Sequence, residues 1–229
     1  MQAVILAAGR GKRMGALTDH TPKPMLEVGK KNLIQHKLEI LPDSVTEVIL
    51  VIGYLGEQII EFFGDSFNGK KISYVWQKEL KGTGHALWQT KHLIKDKFIV
   101  MMGDDLYSRK DMEECAKHDW SILVKKHEAG THVGGRVILN NAGTVTEIIE
   151  GEHTGEDILI STALYVLQPG IFTYSLVQIP GREEWGLPQT LVQAVKDFDI
   201  QVITSTSWVQ LTDPQDIAKA EETDGVAFA

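Results

Sequence analysis

A cluster of glycines and basic residues follows the first apolar run of the chain, and these residue types suit the binding of a polyphosphate. Gly9 and Gly11 let backbone N–H groups turn toward anionic oxygens, and Arg13 adds positive charge beside them. Further along, Lys23 stands between two prolines, whose fixed φ angles hold the backbone around it. This spacing predicts a phosphate-binding loop. The alternative interpretation is a tight turn that carries solvated charges.

Two common nucleotide-binding motifs do not fit this loop. A dinucleotide fingerprint requires glycine at position 14, where the chain has Met14. It also requires an acidic residue at the end of the second strand, but Gly53 and Tyr54 follow that strand. A Walker A loop fails as well, because no Gly-Lys-Ser/Thr follows at the required spacing. The sequence therefore disfavours a dehydrogenase and a Walker A site.

The elements that must position this loop alternate between strands and helices over the first hundred residues. Apolar runs predict strands at 3–7, 48–52, 72–76 and 98–102, and helical periodicity predicts helices at 32–41, 57–63 and 83–94. This alternation predicts a three-layer α/β fold of the Rossmann-like type, with a mostly parallel central sheet and helices on both faces. Ligands of parallel sheets bind beyond the carboxyl ends of the strands, which is where the loop at Gly9 would lie.

The second half of the chain has fewer helices and a strong hairpin signal. Predicted elements there are strands at 133–139 and 145–149 around a turn at 140–143, a strand at 158–167, a helix at 187–198, a strand at 200–203 and a helix from Asp213 to Glu222. We expect a single domain, 1–229, with a nucleotide-binding lobe at about 1–110 and a small β-rich lobe at about 111–229. The tail at 224–229 is predicted to fray.

Composition excludes several classes of protein. The chain has 229 residues, with 23 lysines and arginines against 31 aspartates and glutamates, so its formal net charge is −8. This acidic balance argues against a general nucleic-acid-binding protein, which needs a basic face for the phosphate backbone. Cys115 is the only cysteine, and no apolar run has the length of a signal peptide or a membrane span. We therefore expect a cytoplasmic protein without nucleic-acid or membrane partners.

Several motifs in order along the chain match one known family. They are the segment 6–14 (LAAGRGKRM), Pro22-Lys23-Pro24, Gln77 with Gly82-Thr83-Gly84-His85-Ala86, Gly103-Asp104, Glu150, and the segment 208–216 (WVQLTDPQD). With these motifs the chain resembles the sugar-1-phosphate nucleotidylyltransferases over nearly its whole length. The resemblance implies that an NTP and a sugar 1-phosphate give an NDP-sugar and pyrophosphate, by in-line attack and with Mg²⁺ as cofactor. It also implies that the β-rich lobe binds the sugar.

The resemblance also implies roles for the residues of the phosphate loop. Arg13 would hold the departing phosphates together with the backbone at Ala8, Gly9 and Gly11. Lys23 would bridge the α-phosphate and the phosphate of the incoming sugar as a point charge. The incoming nucleophile is an ionised phosphate oxygen, so positioning and charge neutralisation would suffice without a general base.

A magnesium site is implied at the turn after the strand at 98–102. Asp104 matches the family's metal ligand, and Asp105 is the alternative, although successive residues point to opposite sides of a strand. The family commonly has Asp or Asn two residues after a tryptophan as a second ligand, and this chain has Gln210 there. Asp213 could replace it, but this residue is favoured as the N-cap of the last helix.

Base and sugar contacts follow from the remaining motifs. Gln77, whose carboxamide both donates and accepts, and the loop at Gly82 would read a pyrimidine, most closely resembling the uridylyl-transferring branch. Thr83 could cap the helix that follows, and His85 could be simply a packed helix residue. Predicted sugar contacts are Gly135, Glu150 and Thr162, the last within a Ser-Thr-Ala segment that departs from the family's Asn-Thr/Ala-Gly.

Alternatives to uridylyl transfer remain open. Thymidylyl or cytidylyl transfer, including transfer to a non-sugar acceptor such as phosphocholine, is compatible with Gln77. A non-catalytic regulatory subunit that binds a nucleotide sugar is suggested by Gln210 and by Gly151, which stands where many members have lysine. We expect small-molecule substrates, a monomer or homodimer, and no acetyltransferase domain after this one.

Overall fold

The computed structural model describes residues 1–222. The strands are β1 (Gln2–Ala7), β2 (Glu27–Val28), β3 (Lys31–Asn32), β4 (Glu47–Ile52), β5 (Ser66–Phe67), β6 (Lys70–Trp76), β7 (Phe98–Met102), β8 (Asp105–Tyr107), β9 (Ser121–Leu139), β10 (Val145–Leu167), β11 (Val177–Gln178), β12 (Trp185–Gly186), β13 (Gln201–Thr204) and β14 (Trp208–Gln210). The α-helices are α1 (Leu33–Ile40), α2 (Gly56–Phe63), α3 (Gly82–Trp88), α4 (Arg109–Ala116), α5 (Leu187–Leu191) and α6 (Pro214–Glu222). Short 3₁₀ segments lie at Lys12–Thr18, Lys23–Met25, Pro169–Thr173 and Val192–Lys196.

Eight strands form the central sheet, in the order β13-β9-β10-β7-β1-β4-β6-β5. β1 pairs in parallel with β4 and β7, β4 pairs in parallel with β6, and β13 pairs in parallel with β9. β10 runs antiparallel to both β7 and β9, and β5 runs antiparallel to β6. The predicted fold, a mostly parallel central sheet with helices, is therefore confirmed.

The sheet is buried on both faces because alternate residues of β1 point to opposite sides. Val4 belongs to a core cluster with Leu191 of α5, whereas Ile5 belongs to a second cluster with Leu38 of α1 and Met112 of α4. Three layers result, and the continuous apolar run at the start of the chain is explained by this double burial. The loops at the carboxyl ends of β1 and β7 are thereby held on a rigid edge.

β9 and β10 form a hairpin that is much longer than the predicted one. The turn at 140–143 is confirmed, but the two strands stay paired from Val145 and Leu139 back to Val166 and Ser121. Ile160 is aligned with both a residue near the base of β9 and one near its tip, so the ribbon folds back on itself. Gly130, whose φ is +115°, lies in the bend. By composition alone, the glycines and charged residues around this bend are typical of a loop, which is why the predicted hairpin was shorter.

Two predicted helices are shorter than expected. The helix predicted at 83–94 ends at Trp88, because Thr90 turns its backbone N–H and its hydroxyl onto the carbonyl of Leu87, at 2.9 Å and 2.7 Å. The helix predicted at 187–198 is α5 followed by a 3₁₀ segment that ends at Lys196. The predicted frayed tail at 224–229 lies outside the described residues. Within residues 1–222, none of the helices is long and apolar enough to cross a membrane.

Candidate active site

Two adjoining cavities open at the carboxyl ends of β1 and β7. The larger has a volume of about 720 Å³ and the smaller about 270 Å³. Both are lined by Gly82, Thr83, Met102 and Glu184, so they form one continuous depression. This is the edge of the sheet at which the sequence placed the substrate site.

The smaller cavity gathers the residues predicted to bind the nucleotide. Ala8, Gly9, Gln77, Gly82 and Thr83 all line it. The Gln77 side chain is 5% exposed, and its Nε2 donates to the carbonyl oxygen of Gly82 at 3.1 Å. Gln77 is thus held in a fixed orientation at the wall of this cavity.

His85 supports Gln77 from α3. Its Nδ1 lies 3.1 Å from Gln77 Nε2, and its Nε2 lies 3.1 Å from Gln89 Nε2. Burial and the neighbouring Lys81 lower the pKa of His85, which favours the neutral ring, whose one unprotonated nitrogen can accept from one of the two glutamine amides. The interpretation of His85 as a packed helix residue therefore fits the contacts better than direct contact with a ligand.

The backbone at Gly82 is tight and needs glycine. Its φ is +90°, and a Cβ at this position would lie 2.4 Å from the carbonyl oxygen of Trp185. The predicted capping role of Thr83 is wrong, because α3 begins one residue earlier and has no side-chain cap. Thr83 Oγ1 instead accepts from the backbone N–H of Leu187 at 3.0 Å, which joins this loop to α5.

Lys23 is buried behind the phosphate loop and reaches the turn after β7. Its side chain is 7% exposed, and Nζ forms an ion pair with Asp104 Oδ2 at 2.6 Å. Gly11 makes room for it, because a Cβ on Gly11 would lie 2.7 Å from Lys23 Cβ. Arg13, on the other side of the loop, is exposed and lines the larger cavity with Asp104.

A second lysine near Asp104 was missed by sequence reasoning. Lys37 of α1 is fully buried, and its Nζ donates to the carbonyl oxygens of Leu33 and Gly103, each at 3.1 Å. Burial lowers the pKa of Lys37 to about 8, although the negative charges of Asp104 and Asp105 act in the opposite direction. A lysine on the apolar face of a predicted helix was the signal that could have found it.

Asp105 is buried at the wall of the larger cavity. Its Oδ2 accepts from Trp208 Nε1 at 3.2 Å, and the residue is 4% exposed. Burial and, to a smaller extent, the charge of Asp104 raise the pKa of Asp105 to about 8, against the lowering effects of Lys37 and Trp208. Because Asp105 is buried, Asp104 is the carboxylate of this pair that is accessible to a ligand in the cavity.

The residues proposed as further metal ligands differ in their accessibility. Gln210 is exposed and lines the larger cavity, and its backbone is paired with Asp105 between β14 and β8. Asp213 Oδ1 accepts from the backbone N–H of Gln215 at 2.9 Å, so this carboxylate caps α6 as favoured by the sequence. Among residues 1–222, no cluster of three or more His, Cys, Asp or Glu could hold a metal ion.

Glu150 of β10 lines the larger cavity. It is paired with Gly135 across the ribbon, and a Cβ on Gly135 would lie 2.9 Å from Glu150 Oε1. Gly135 thus leaves space for this carboxylate. Desolvation raises the pKa of Glu150, and the positive charges of Arg182 and His153 partly offset the effect.

Thr162 also lines this cavity, but its hydroxyl is already engaged. Thr162 is fully buried, and its Oγ1 donates to the carbonyl oxygen of Leu123 at 3.0 Å. Its own carbonyl oxygen accepts from the hydroxyl of Tyr107 at 2.9 Å. The backbone distortion that follows, with φ of +57° at Ala163, belongs to a bulge in β10. Thr162 therefore shapes the wall and offers no free hydroxyl.

The predicted residues thus converge on one depression. Those lining the larger cavity are Arg13, Gly82, Thr83, Asp104, Glu150, Thr162 and Gln210, and those lining the smaller one are Ala8, Gly9, Gln77, Gly82 and Thr83. Gly11, Lys23 and Gly135 are not among the residues that line these two cavities. Gly11 makes room for Lys23, Lys23 pairs with Asp104 at the cavity wall, and Gly135 leaves space for Glu150. Arg182 and Glu184, which also line the larger cavity, were not predicted.

Comparisons with known proteins agree with this arrangement. A family model described as nucleotidyl transferase matches residues 2–225. UTP–glucose-1-phosphate uridylyltransferase AglF of Haloferax volcanii is 32% identical over 236 residues, covering 97% of this chain and 96% of that protein. Bifunctional protein GlmU of Methanocaldococcus jannaschii is 30% identical, and the match covers 97% of this chain but only 54% of that protein.

Solved structures show the same fold. One is a protein of Bacillus anthracis assigned as a glucose-1-phosphate thymidylyltransferase and solved in complex with sucrose. It has a TM-score of 0.82 and 22% identity and covers 97% of this chain and 94% of its own. HddC from Yersinia pseudotuberculosis has a TM-score of 0.71 and 23% identity, covering 97% and 98%. The family model over nearly the whole length and the relative at 32% identity establish that the chain belongs to the nucleotidyl transferase family and is a nucleotidyltransferase.

Proposed function

We propose that the chain transfers a nucleotidyl group from a pyrimidine nucleoside triphosphate, UTP in the first place, to a sugar 1-phosphate. The observation that carries this proposal is the ion pair of Lys23 with Asp104 beside the residues shared by the two cavities. A triphosphate in the smaller cavity and a sugar phosphate in the larger one would meet there. The relative that is named a UTP–glucose-1-phosphate uridylyltransferase supports the choice of both substrates.

Charge neutralisation is the main chemical task of this site. The attacking oxygen of a sugar phosphate is ionised at neutral pH, so no proton has to be removed. The buried ammonium of Lys23 would lie between the attacking phosphate and the α-phosphate and reduce their repulsion. Arg13 and the backbone N–H groups of the loop at Gly9 would stabilise the departing pyrophosphate.

Recognition of the base is assigned to Gln77. Its fixed carboxamide can donate and accept at once, which suits the adjacent oxygen and N–H of a uracil or thymine ring. Gly82 and Thr83 line the same cavity as Gln77, so a planar base bound there would lie against their backbone. Uracil and thymine present the same edge to this side chain, so thymidylyl transfer is the second candidate activity, and cytidylyl transfer is the third.

We propose Mg²⁺ as the cofactor, with Asp104 as its carboxylate ligand and Gln210 as a neutral oxygen donor. When bound, the ion would supply positive charge to the phosphates of the transition state. The residues fit this ion because both side chains line the larger cavity and because Mg²⁺ commonly keeps several waters and takes few protein ligands beside substrate phosphates. Gln210→Asp is expected to lower the Mg²⁺ concentration needed for half-maximal turnover. An unchanged requirement would show that Gln210 does not bind the ion.

Glu150 would hold the sugar. Its carboxylate, raised in pKa by desolvation, lies in the larger cavity where the ring hydroxyls of an acceptor can donate to it. A small-molecule acceptor is consistent with a cavity of about 720 Å³. Phosphocholine, which has no hydroxyls, would leave Glu150 without a hydrogen-bond donor. The predicted cytoplasmic location and the monomer or homodimer stay predictions.

The experiment that tests this function is a measurement of pyrophosphate release. UTP, dTTP and CTP are each combined with glucose 1-phosphate, N-acetylglucosamine 1-phosphate or phosphocholine, with and without Mg²⁺. Lys23→Ala is expected to lower kcat by about 10²–10³-fold, as for other preorganised charges. Lys30→Ala, which removes an exposed lysine from the β2–β3 turn, is the matched control. Turnover of Lys23→Ala equal to that control would refute the role of Lys23.

Absence of pyrophosphate release with every combination of substrates would overturn the proposed catalysis. If this inactive protein still bound UTP or UDP-glucose in a calorimetric titration, the regulatory-subunit hypothesis would replace the proposed catalysis. Gln210 and Gly151 would then be the first residues to examine.

A further inference from the structure

The loop that follows β1 is attached at both of its ends to the segment that leads into α2. The hydroxyl of Tyr54, from the β4–α2 connection, donates to the carbonyl oxygen of Asp19 at 2.9 Å. Within α2, Gln58 Nε2 donates to the carbonyl oxygen of His20, also at 2.9 Å. At the other end of the loop, the backbone N–H of Tyr54 donates to the carbonyl oxygen of Ala8 at 3.0 Å. One neighbouring segment therefore fixes where the loop begins and where it ends.

Arg10 lies between these two ends and contacts the same tyrosine. Its guanidinium carbon is 5.2 Å from the centroid of the Tyr54 ring, and its Nη2 forms an ion pair with Asp19 Oδ1 at 3.3 Å. A guanidinium within about 6 Å of an aromatic centroid is attracted by the negative face of the ring. We call the side chains of Arg10, Asp19, Tyr54 and Gln58 the clasp. The side chain of Arg10 is thus already engaged by two groups of the protein.

The surroundings of Arg10 differ from those of its neighbours in the loop. Gly9 lines the smaller cavity and Arg13 lines the larger one, whereas Arg10 is not among the residues that line either of them. By sequence alone, a basic residue in a glycine-rich loop is a candidate for binding phosphate. The contacts of Arg10 point instead to a role in holding the backbone that the phosphates would meet.

We propose that Arg10 and Tyr54 are positioning residues, which keep the loop at 8–20 in the conformation that binds the triphosphate. The apparent affinity of a ligand falls in proportion to the fraction of protein in the binding conformation. Loosening the clasp therefore weakens nucleotide binding and leaves the acceptor's own contacts unaltered. This inference rests on the proposed function, because it assumes that the loop binds the triphosphate.

The test is a double-mutant cycle that uses Arg10→Ala, Tyr54→Leu and the double variant. The measured quantity is the KM for the nucleoside triphosphate that the wild type uses best. Each single change is expected to raise this KM about 5-fold, because exposed cation–π contacts and ion pairs are weak. Independent contributions would multiply to about 25-fold, whereas two parts of one clasp should give about 5–10-fold. The KM for the sugar 1-phosphate should stay unchanged.

Two exposed residues outside the clasp provide controls. Lys71→Ala removes a positive charge from β6, and Glu61→Gln alters the surface of α2. Both variants should keep the wild-type KM for the nucleotide. A 25-fold effect in the double variant, about the product of the single effects, would indicate that Arg10 contacts the nucleotide directly. That result, or single variants that match the controls, would overturn the inference and leave the proposed function intact.

Limited digestion with trypsin tests the clasp without any substrate. Trypsin cleaves after lysine and arginine, and the loop offers Lys12 and Arg13 as sites. Cleavage requires the loop to open, so its rate follows the population of the open form. Tyr54→Leu is expected to be cleaved at these sites about 5-fold faster than the wild type or Glu61→Gln, as followed by mass spectrometry. Equal rates of cleavage would overturn the inference.

Calorimetric titration separates the inference from the proposed function. If the wild type binds UTP but releases no pyrophosphate, the proposed catalysis fails, and the same cycle is evaluated with Kd in place of KM. The expected pattern is then a Kd for UTP that rises about 5-fold in each single variant and about 5–10-fold in the double variant. A wild type that binds none of UTP, dTTP and CTP would overturn the inference as well.

Discussion

Gly11→Ala tests the placement of Lys23 most directly. The φ of Gly11 is +70°, and an added Cβ would lie 2.7 Å from Lys23 Cβ and 2.8 Å from Lys23 Cδ. These distances are too short for carbon atoms, and the nearest atom is close to the Lys23 backbone rather than at the flexible end of the side chain. The substitution therefore has to move the Lys23 segment and with it the ammonium that contacts Asp104.

Three contributions determine how much Gly11→Ala lowers the free energy of unfolding. An alanine in the left-handed region costs about 1–2 kcal/mol. The stiffer unfolded chain of alanine offsets about 0.4–1 kcal/mol of this. Overpacking against Lys23 adds about 1–3 kcal/mol. We expect Gly11→Ala to lower the free energy of unfolding by about 1–5 kcal/mol. We also expect it to lower kcat by about 100-fold, because a displacement of about 1 Å suffices for that.

The control is Gly69→Ala, at a glycine that also has a positive φ but where an added Cβ makes no clash. Gly69 has a φ of +76°, and a Cβ on it would meet nothing within 4 Å. Gly69→Ala therefore reports the backbone contribution alone, and it lies in the turn between β5 and β6, away from both cavities. Chemical denaturation and pyrophosphate release are measured for both variants. If Gly11→Ala is no less stable than Gly69→Ala and turns over like the wild type, the contact with Lys23 is misjudged.

Three further predictions concern Asp104, Asp111 and Cys115. Asp104→Asn is expected to lower kcat by about 10²-fold or more and to raise the Mg²⁺ requirement, and an unchanged Mg²⁺ titration would exclude Asp104 as a ligand. Buried Asp111 accepts from Ser205 Oγ at 3.1 Å and from the N–H and hydroxyl of Thr206 at 2.9 and 2.8 Å, so Asp111→Ala should lower the free energy of unfolding by about 2–4 kcal/mol. Exposed Lys110→Ala on the same helix should change it by less than about 0.5 kcal/mol, and equal effects in denaturation would contradict this account. Burial raises the pKa of Cys115 from 9.0 to about 12, so above pH 9 the unfolded chain loses a proton that the folded protein keeps, and stability falls as pH rises toward 12. Cys115→Ala should flatten this dependence in unfolding titrations, and an unaltered slope would show that the thiol does not contribute.

Local sequence patterns were sufficient to predict the parallel strands of the central sheet. Three of these strands, β1, β4 and β7, are runs of apolar and often β-branched residues. In a chain where such runs alternate with amphipathic segments, they predict buried strands and few other structures. The loop at Gly9 and the turn at Asp104 follow from them, because both lie directly after strands. The position of the candidate site was therefore predictable without any long-range information.

Contacts between distant segments were not predictable in this way. The bond from Lys37 to the carbonyl of Gly103 joins residues 66 positions apart. The periodicity of α1 places Lys37 on the apolar face, but it does not indicate which carbonyl the ammonium reaches. Thr83 looked like a helix cap locally, yet its hydroxyl accepts from Leu187, which is 104 positions away. Arg182 likewise reaches the cavity only because β11 and β12 are folded against the rest of the molecule. Tertiary packing decided each of these cases.

The pairing of β10 with β7 has a consequence for synthesis on the ribosome. Val100, in the middle of β7, is paired with Tyr165, so this side of β7 must wait for β10 to emerge. Until then the nascent chain exposes an apolar strand with open backbone donors and acceptors, the kind of edge that recruits other chains. A fragment that ended near residue 110 would keep this edge permanently. The two halves of the chain are therefore expected to need each other to keep this strand edge covered.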